Sequence, residues 1–296
     1  MSILLRRHTL MAANGSPAPE PPSPREQPFT IINNRDANCN ITINIGASVP
    51  TTTLEQINYK IFNHTTGDIN EYSIINTNNS SVTQTILIPN YSYVEFFGRG
   101  VALAVNSTSG TYTAFIAQSS SDDITVRGNI MSLLYGIDGT FKDALINADK
   151  TFSSLFKNFA AHIDASNLIL PYNVKTRSYQ HIFSGCKLLT AAPELPATTL
   201  GEYCYFNMFF GCTSLTTAPV LPATTLVTAC YSKMFNGCTS LNYIKCLATD
   251  ISAQGCTSSW VGGVAATGTF VKSKNFSWST GTAGIPTGWT VVDDTE

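Results

Sequence analysis

Eight cysteines are the residues of this chain best equipped for chemistry, and six of them are spaced by rule. Cys186, Cys212 and Cys238 stand 26 residues apart, and Cys204, Cys230 and Cys256 form a second series with the same step. A thiolate can attack an electrophile, hold a soft metal or pair with a second thiol. No pair has the C-x-x-C spacing of a zinc or redox motif, and eight cysteines in 296 residues are too few for a disulfide scaffold. If each period is one coil, equivalent sulfurs stack at roughly the ~5 Å spacing of neighbouring strands, where a thiol packs as a small hydrophobe. The reading is two ladders of structural thiols. Disulfides between coils and a bound metal are the alternatives.

The remaining chemistry-bearing residues form no constellation. His8 and His64 fall in loop-like stretches, and His162 and His181 stand where later periods carry other residues. There is no H-E-x-x-H, no G-x-S-x-G and no glycine-rich phosphate loop behind a strand. Asp122-Asp123 follows three serines and reads as a polar loop, and Asp293, Asp294 and Glu296 read as a solvated tail. The expectation is a protein that is not an enzyme, with no catalytic residues, no cofactor and no metal. A glycan-active enzyme built on residues 28–128 is the competing class, and the lack of a clear acid pair there counts against it.

Composition narrows the partners. The net charge is −2 and only 12% of residues are charged, which leaves no basic field to displace the counterions of a nucleic acid. Hydrophobic content of 43% argues against wholesale disorder. No apolar run reaches the ~18 residues of a membrane helix. Thr, Ser and Asn are abundant while Lys, Glu and Arg are scarce, a profile of β-rich extracellular or virion proteins. Met1-Ser-Ile-Leu-Leu-Arg-Arg-His8 has three apolar residues before its arginines, short of the ~7–15 of a secretory signal, so no ordinary export leader is expected.

Four segments follow from the patterning. Residues 1–27 read as a flexible arm: a short apolar plug (Ile3, Leu4, Leu5) beside Arg6 and Arg7, then prolines at 17, 19, 21, 22 and 24 that favour extended chain. Its expected role is anchoring to a partner. Residues 28–128 read as a small β-sandwich. Ile41, Ile43 and Ile45 alternate with polar residues, and Thr83–Leu87, Tyr93–Phe97, Tyr112–Ile116 and Ile124–Val126 are further strand candidates between Asn/Gly/Ser turns. Residues 129–250 repeat. Gly185–Leu200 and Gly211–Leu226 are identical at twelve of sixteen positions. Each period carries a Pro-free aromatic half, such as Tyr203–Phe210 or Tyr231–Asn236, expected to form a helical turn. Its other half, such as Leu215–Leu221, is expected to form a short strand ended by proline. One strand and one helical turn per period describe a leucine-rich-repeat solenoid. Residues 251–296, with Trp260, Trp278 and Trp289, read as a β cap whose rings close the core. The fold class is thus mainly β with short helices.

The repeat resembles the BspA-like leucine-rich repeats of gut Bacteroidales surface proteins and of the phages of those bacteria. The resemblance rests on Phe-x-Gly-Cys-Thr-Ser-Leu at 209–215 and 235–241 and on Leu-Pro-Ala-Thr-Thr-Leu at 195–200 and 221–226. Gly128–Gly136 is similar to the segment that precedes such repeats, and Gly284–Val292 to their C-terminal piece. The opening Met1–Ala13 resembles openings of crAss-like phage virion proteins. Two departures stand at the ends: Phe156-Lys-Asn-Phe159 replaces Phe-x-Gly-Cys, and Ile244-Lys-Cys-Leu-Ala248 replaces the proline-bounded strand. The resemblance implies a virion surface protein, a head fibre or decoration protein, joined to other virion proteins through the arm and the β domain. Its repeats would meet a host surface protein or glycan. A bacterial cell-surface adhesin and a phage tail fibre are the alternatives, and a homo-oligomer is expected.

The candidate binding face follows from strand alternation. Ala191, Thr217 and Tyr243 are expected to form one solvent-facing row on the concave side, and Pro193, Pro219 and Lys245 the next. An inert exposed surface is the competing reading.

Overall fold

The computed structural model describes residues 26–45, 55–76, 82–99, 105–106, 111–136, 141, 145–146, 148–274 and 276–295. The fold is mainly β. The strands of the N-terminal part are β1 (Phe29–Asn33), β2 (Cys39–Ile45), β3 (Glu55–Phe62), β4 (Ile69–Asn76), β5 (Val82–Ile88), β6 (Tyr93–Arg99), β7 (Val105–Asn106), β8 (Thr111–Tyr112), β9 (Ala114–Ala117) and β10 (Asp123–Asn129). A four-residue helix, α1 (Ser132–Tyr135), follows. Then come β11 (His162–Ile169), β12 (Leu189–Ala191), β13 (Tyr243–Cys246), β14 (Thr269–Lys272) and β15 (Thr290–Asp293).

Alternation decides which side each strand buries. In β2 the side chains of Cys39, Ile41, Ile43 and Ile45 are almost fully buried, while Asn40 between them is exposed. β2 pairs antiparallel with β5 and β9. The larger sheet has seven strands in the order β12-β11-β10-β1-β6-β3-β4. The two sheets share a core: Phe115 of β9 lies 5.3 Å from Phe29 of β1 and 5.1 Å from Phe96 of β6, ring centre to ring centre. The Ser132 hydroxyl pins α1 to this core, accepting the Phe29 N–H and donating to the Phe96 carbonyl, both at 2.8 Å.

The large sheet changes character at β10. Up to there its pairs are antiparallel, whereas β10–β11 and β11–β12 are parallel. Parallel neighbours need a long crossover, and the 26-residue period supplies it. The seven-stranded sheet ends at β12, and the periods that follow are joined by fewer hydrogen bonds. The strand expected over Leu215–Leu221 is reduced to bridges at Thr217–Tyr243 and Leu221–Cys246. Pro219 and Pro222 explain this, since proline has no N–H to give to a ladder. Regular strands return where prolines are absent, in the parallel set β13-β14-β15.

The other half of each period is not the helical turn that its aromatic spacing predicts. Among the described residues, α1 is the only α-helix. Tyr203–Phe210 and its equivalents form a ribbon of turns with a left-handed residue at every fourth position. These are Arg177, His181 and Gly185, then Tyr203, Asn207 and Gly211, then Ala229, Lys233 and Gly237, all with φ between 49° and 80°. Alternate N–H groups leave the ribbon along the stack. Tyr179, Tyr205 and Tyr231 donate to the carbonyls of Cys204, Cys230 and Cys256 at 2.9, 3.1 and 2.8 Å. The intervening N–H groups close local turns, as Ile182 does on Tyr179 and Met208 on Tyr205. A helix keeps its hydrogen bonds to itself. This ribbon spends half of its donors on the next period, so successive periods are bonded on both sides of the stack.

Aromatic rings fill the space between. Phe156, Phe183, Phe209 and Phe235 stack at 5.3, 5.8 and 5.6 Å with planes within 6° of parallel. Phe152, Tyr179, Tyr205 and Tyr231 form a second column at 5.8 to 6.0 Å. Both columns meet Trp260, which passes the stack to Trp278 at 5.5 Å. At the other end Phe156 packs 5.6 Å from Phe115. The N-terminal sheets and the repeats therefore share one continuous core.

Candidate binding face

Register places the candidate face on the parallel strands. Thr217 bridges to Tyr243, Tyr243 is paired with Thr269, and Thr269 with Thr290. Asp164 is paired with Ala191 at the other end. Thr217 and Thr290 are exposed, and Ala191, Tyr243 and Thr269 are half-buried. Inward neighbours alternate with this row: Leu215, Ala218, Ile244 and Phe270 are buried.

The second expected row departs from expectation. Pro193 is buried, not solvent-facing, and Pro219 is half-buried. Lys245 is no free cation, because its Nζ lies 2.9 Å from Oδ1 of Asp294 with both side chains mostly buried. Lys272 is likewise paired with Asp293. Asp294, read from sequence as part of a solvated tail, is instead mostly buried on Lys245 of β13, whereas Asp293 pairs with Lys272 and stays exposed. The face that results is rich in Thr, with the carboxylate Asp164 at one end and the exposed Val292 beside Thr290 at the other.

Asp164, Thr269 and Thr290 join the row without having been singled out by sequence. Thr269 sits one period after Tyr243, which is the signal that could have found it. Thr290 follows Thr269 by fewer residues, so the repeat rule misses it. Ile3, Leu4, Leu5, Arg6 and Arg7 lie outside the described residues. Gln27, at the end of the expected arm, accepts the Asn129 N–H at 2.8 Å and so joins the sheet.

The thiols are turned away from this face. All eight cysteines are free and buried. Cys186, Cys212 and Cys238 donate to the carbonyls of Phe156, Phe183 and Phe209 at 2.9, 3.2 and 2.9 Å, so each thiol reaches back to the preceding period. Burial pushes Cys186, Cys238 and Cys246 up to about 12. Such thiols stay protonated at neutral pH and are poor nucleophiles. His181 is pushed down to about 4 by burial, with Lys157 acting in the same direction, and is neutral at pH 7. Among the described residues no three His, Cys, Asp or Glu side chains converge as a metal site. Among them, too, no helix is long and apolar enough to cross a membrane. Trp260 and Trp289 donate their indole N–H groups to the carbonyls of Gly284 and Ala265, both at 2.8 Å, which fastens the C-terminal piece to the core.

No protein-family model, no curated protein and no solved structure matches the chain.

Proposed function

We propose that the chain is a non-catalytic display protein of a virion surface, a head fibre or decoration protein, in which a leucine-rich-repeat solenoid extends from a β-sandwich and offers its strand face to a host surface protein or glycan. The observation that carries this reading is the row Thr217, Tyr243, Thr269 and Thr290. The fold spends its thiols, its aromatic columns and the lysines of the terminal strands internally, and leaves an uncharged hydroxyl-rich strip outside. Such a strip suits ligands recognised by hydrogen bonds to neutral polar groups. The resemblance of the repeats to BspA-like proteins supplies the biological setting. The arm, with its apolar plug and two arginines, serves as the anchor to other virion proteins.

The test has two arms. Peptide mapping of purified particles should find the chain, and removal of residues 2–25 should abolish its incorporation while leaving its thermal midpoint unchanged. Thr217→Arg with Tyr243→Arg should then reduce adhesion of displaying particles to host cells at least tenfold. Recovery of the chain in a bacterial envelope and not in particles would replace the virion setting with a cell-surface adhesin. Unchanged adhesion of the double variant would overturn the assignment of the face.

A further inference from the structure

We propose that β4 is a self-pairing edge through which two copies of this chain join their large sheets, residue 72 of one copy opposite residue 72 of the other. β4 is the terminal strand of the seven-stranded sheet. It is paired along its full length with β3 and, among the described residues, with nothing on its other side. An edge of this kind carries a row of unused N–H and C=O groups, and proteins ordinarily blunt it with proline, a bulge or charge. β4 has no proline, its register with β3 is unbroken over eight pairs, and its one charge, Glu71, is neutralised by Lys60 at 2.7 Å. It nevertheless exposes Ile69, Tyr72 and Ile75 at 57%, 46% and 48%. The free edge at the far end of the repeats, β15, is half as long and flanked by the Asp293 and Asp294 ion pairs.

The order of residues in β4 points to a second copy as the occupant. About Tyr72 one apolar pair is symmetric: Ile69 and Ile75 lie three residues to either side, with Asn70 and Ile74 at two residues and Glu71 and Ser73 at one. In antiparallel pairing about that centre, each Ile69 faces an Ile75 of the other copy, each Glu71 faces a Ser73, and the two Tyr72 face each other. No like charges stand opposite, and the four isoleucines fall on one side of the joined sheet, because alternate residues share a face. The arrangement is isologous and closes at two copies, whereas β4 on β15 would run head to tail without closing.

The experiment is sedimentation of the full chain at tens of micromolar, with three sets of variants. The wild type should run at twice the single-chain mass. Ile69→Lys with Ile75→Lys sets lysines against lysines and should run as a folded monomer with the wild-type circular dichroism spectrum and a midpoint that no longer rises with protein concentration. Ile69→Lys with Ile75→Glu sets lysine against glutamate and should remain a dimer. The third set reads the register directly, since every native thiol is buried. Tyr72→Cys should form a disulfide-linked dimer on mild oxidation. Asn70→Cys should not, because paired strands set equivalent residues 70 four positions apart, ~13 Å, beyond the ~7 Å reach of a disulfide. A wild type of single-chain mass, assemblies larger than two, or equal crosslinking at 70 and 72 would each overturn the proposal.

Discussion

The buried thiols should make this protein fail in alkali well before its backbone would require it. Cys186, Cys238 and Cys246 are held up to about 12 by burial, against an ordinary value of 9.0 for the thiol. The folded state therefore binds protons that the unfolded chain releases. Folding stability falls wherever the folded state binds more protons, so the loss begins near pH 9 and continues towards pH 12. One pH unit above 9 costs ~1.4 kcal/mol for each such thiol, or roughly 4 kcal/mol for the three at pH 10. That is a large share of the ~5–15 kcal/mol of a typical domain. Urea unfolding at pH 7 and pH 10, with reductant present, measures the drop. Tyrosines and lysines also titrate in this range, so the decisive quantity is a difference. Cys238→Ala should lower stability at pH 7 yet remove ~1.4 kcal/mol from the pH 7-to-10 decline. A variant whose decline equals that of the wild type would show that the Cys238 thiol is hydrated, and the inward placement of the ladder would be wrong.

Three further outcomes follow from the packing. Leu221, fully buried, should cost ~2–5 kcal/mol on replacement by alanine, whereas exposed Thr217→Ala should stay within ~0.5 kcal/mol, both read from urea midpoints. Thiol counts in denaturant should be eight with or without reductant, as all eight cysteines are free; a deficit of two in the absence of reductant would mean a disulfide. Gly211→Ala should cost ~1–2 kcal/mol for the left-handed backbone alone, since a Cβ there meets nothing within 4 Å. Gly185→Ala should cost distinctly more, because its Cβ would lie 2.1 Å from Oδ1 of Asn158.

What the sequence made legible is what burial imposes locally. Ile41, Ile43 and Ile45 announce their strand because one side of it faces a core and the other does not. The hairpin of β3 and β4 shows the limit of the same rule. Ile57, Tyr59 and Ile61 alternate equally well and precede the Thr-Thr-Gly-Asp turn with its left-handed Gly67, yet β4 buries only Ile74 of its apolar residues and leaves Ile69, Tyr72 and Ile75 exposed. Its pattern of apolar residues then reads as no pattern at all. On the candidate face, the Thr217–Tyr243 pair follows from the period, but the capture of Lys245 by Asp294 depends on chain some fifty residues on, which no local pattern encodes.

The turn ribbon is the instructive failure. Aromatic and Met residues at turn-like spacing are equally compatible with a helix and with a ribbon whose every fourth residue is left-handed, because both bring residues about four apart to one side. Glycine would separate the two, and in the three central periods it occupies only the last left-handed site, Gly185, Gly211 and Gly237. The earlier sites carry His181, Asn207 and Lys233, residues that a backbone reading assigns to a right-handed helix without penalty. Each left-handed residue costs ~1–2 kcal/mol, and the ribbon recovers this from outside itself, through N–H groups that bond to the next period and rings that stack on it. The conformation is thus a property of the stack and not of the segment. The first period supports this account: where the others have glycine it has Asn158, still left-handed at φ 59°, and asparagine is the residue that tolerates that region best after glycine. The deviation that the sequence presents as a degenerate motif is the same backbone with its next-best residue.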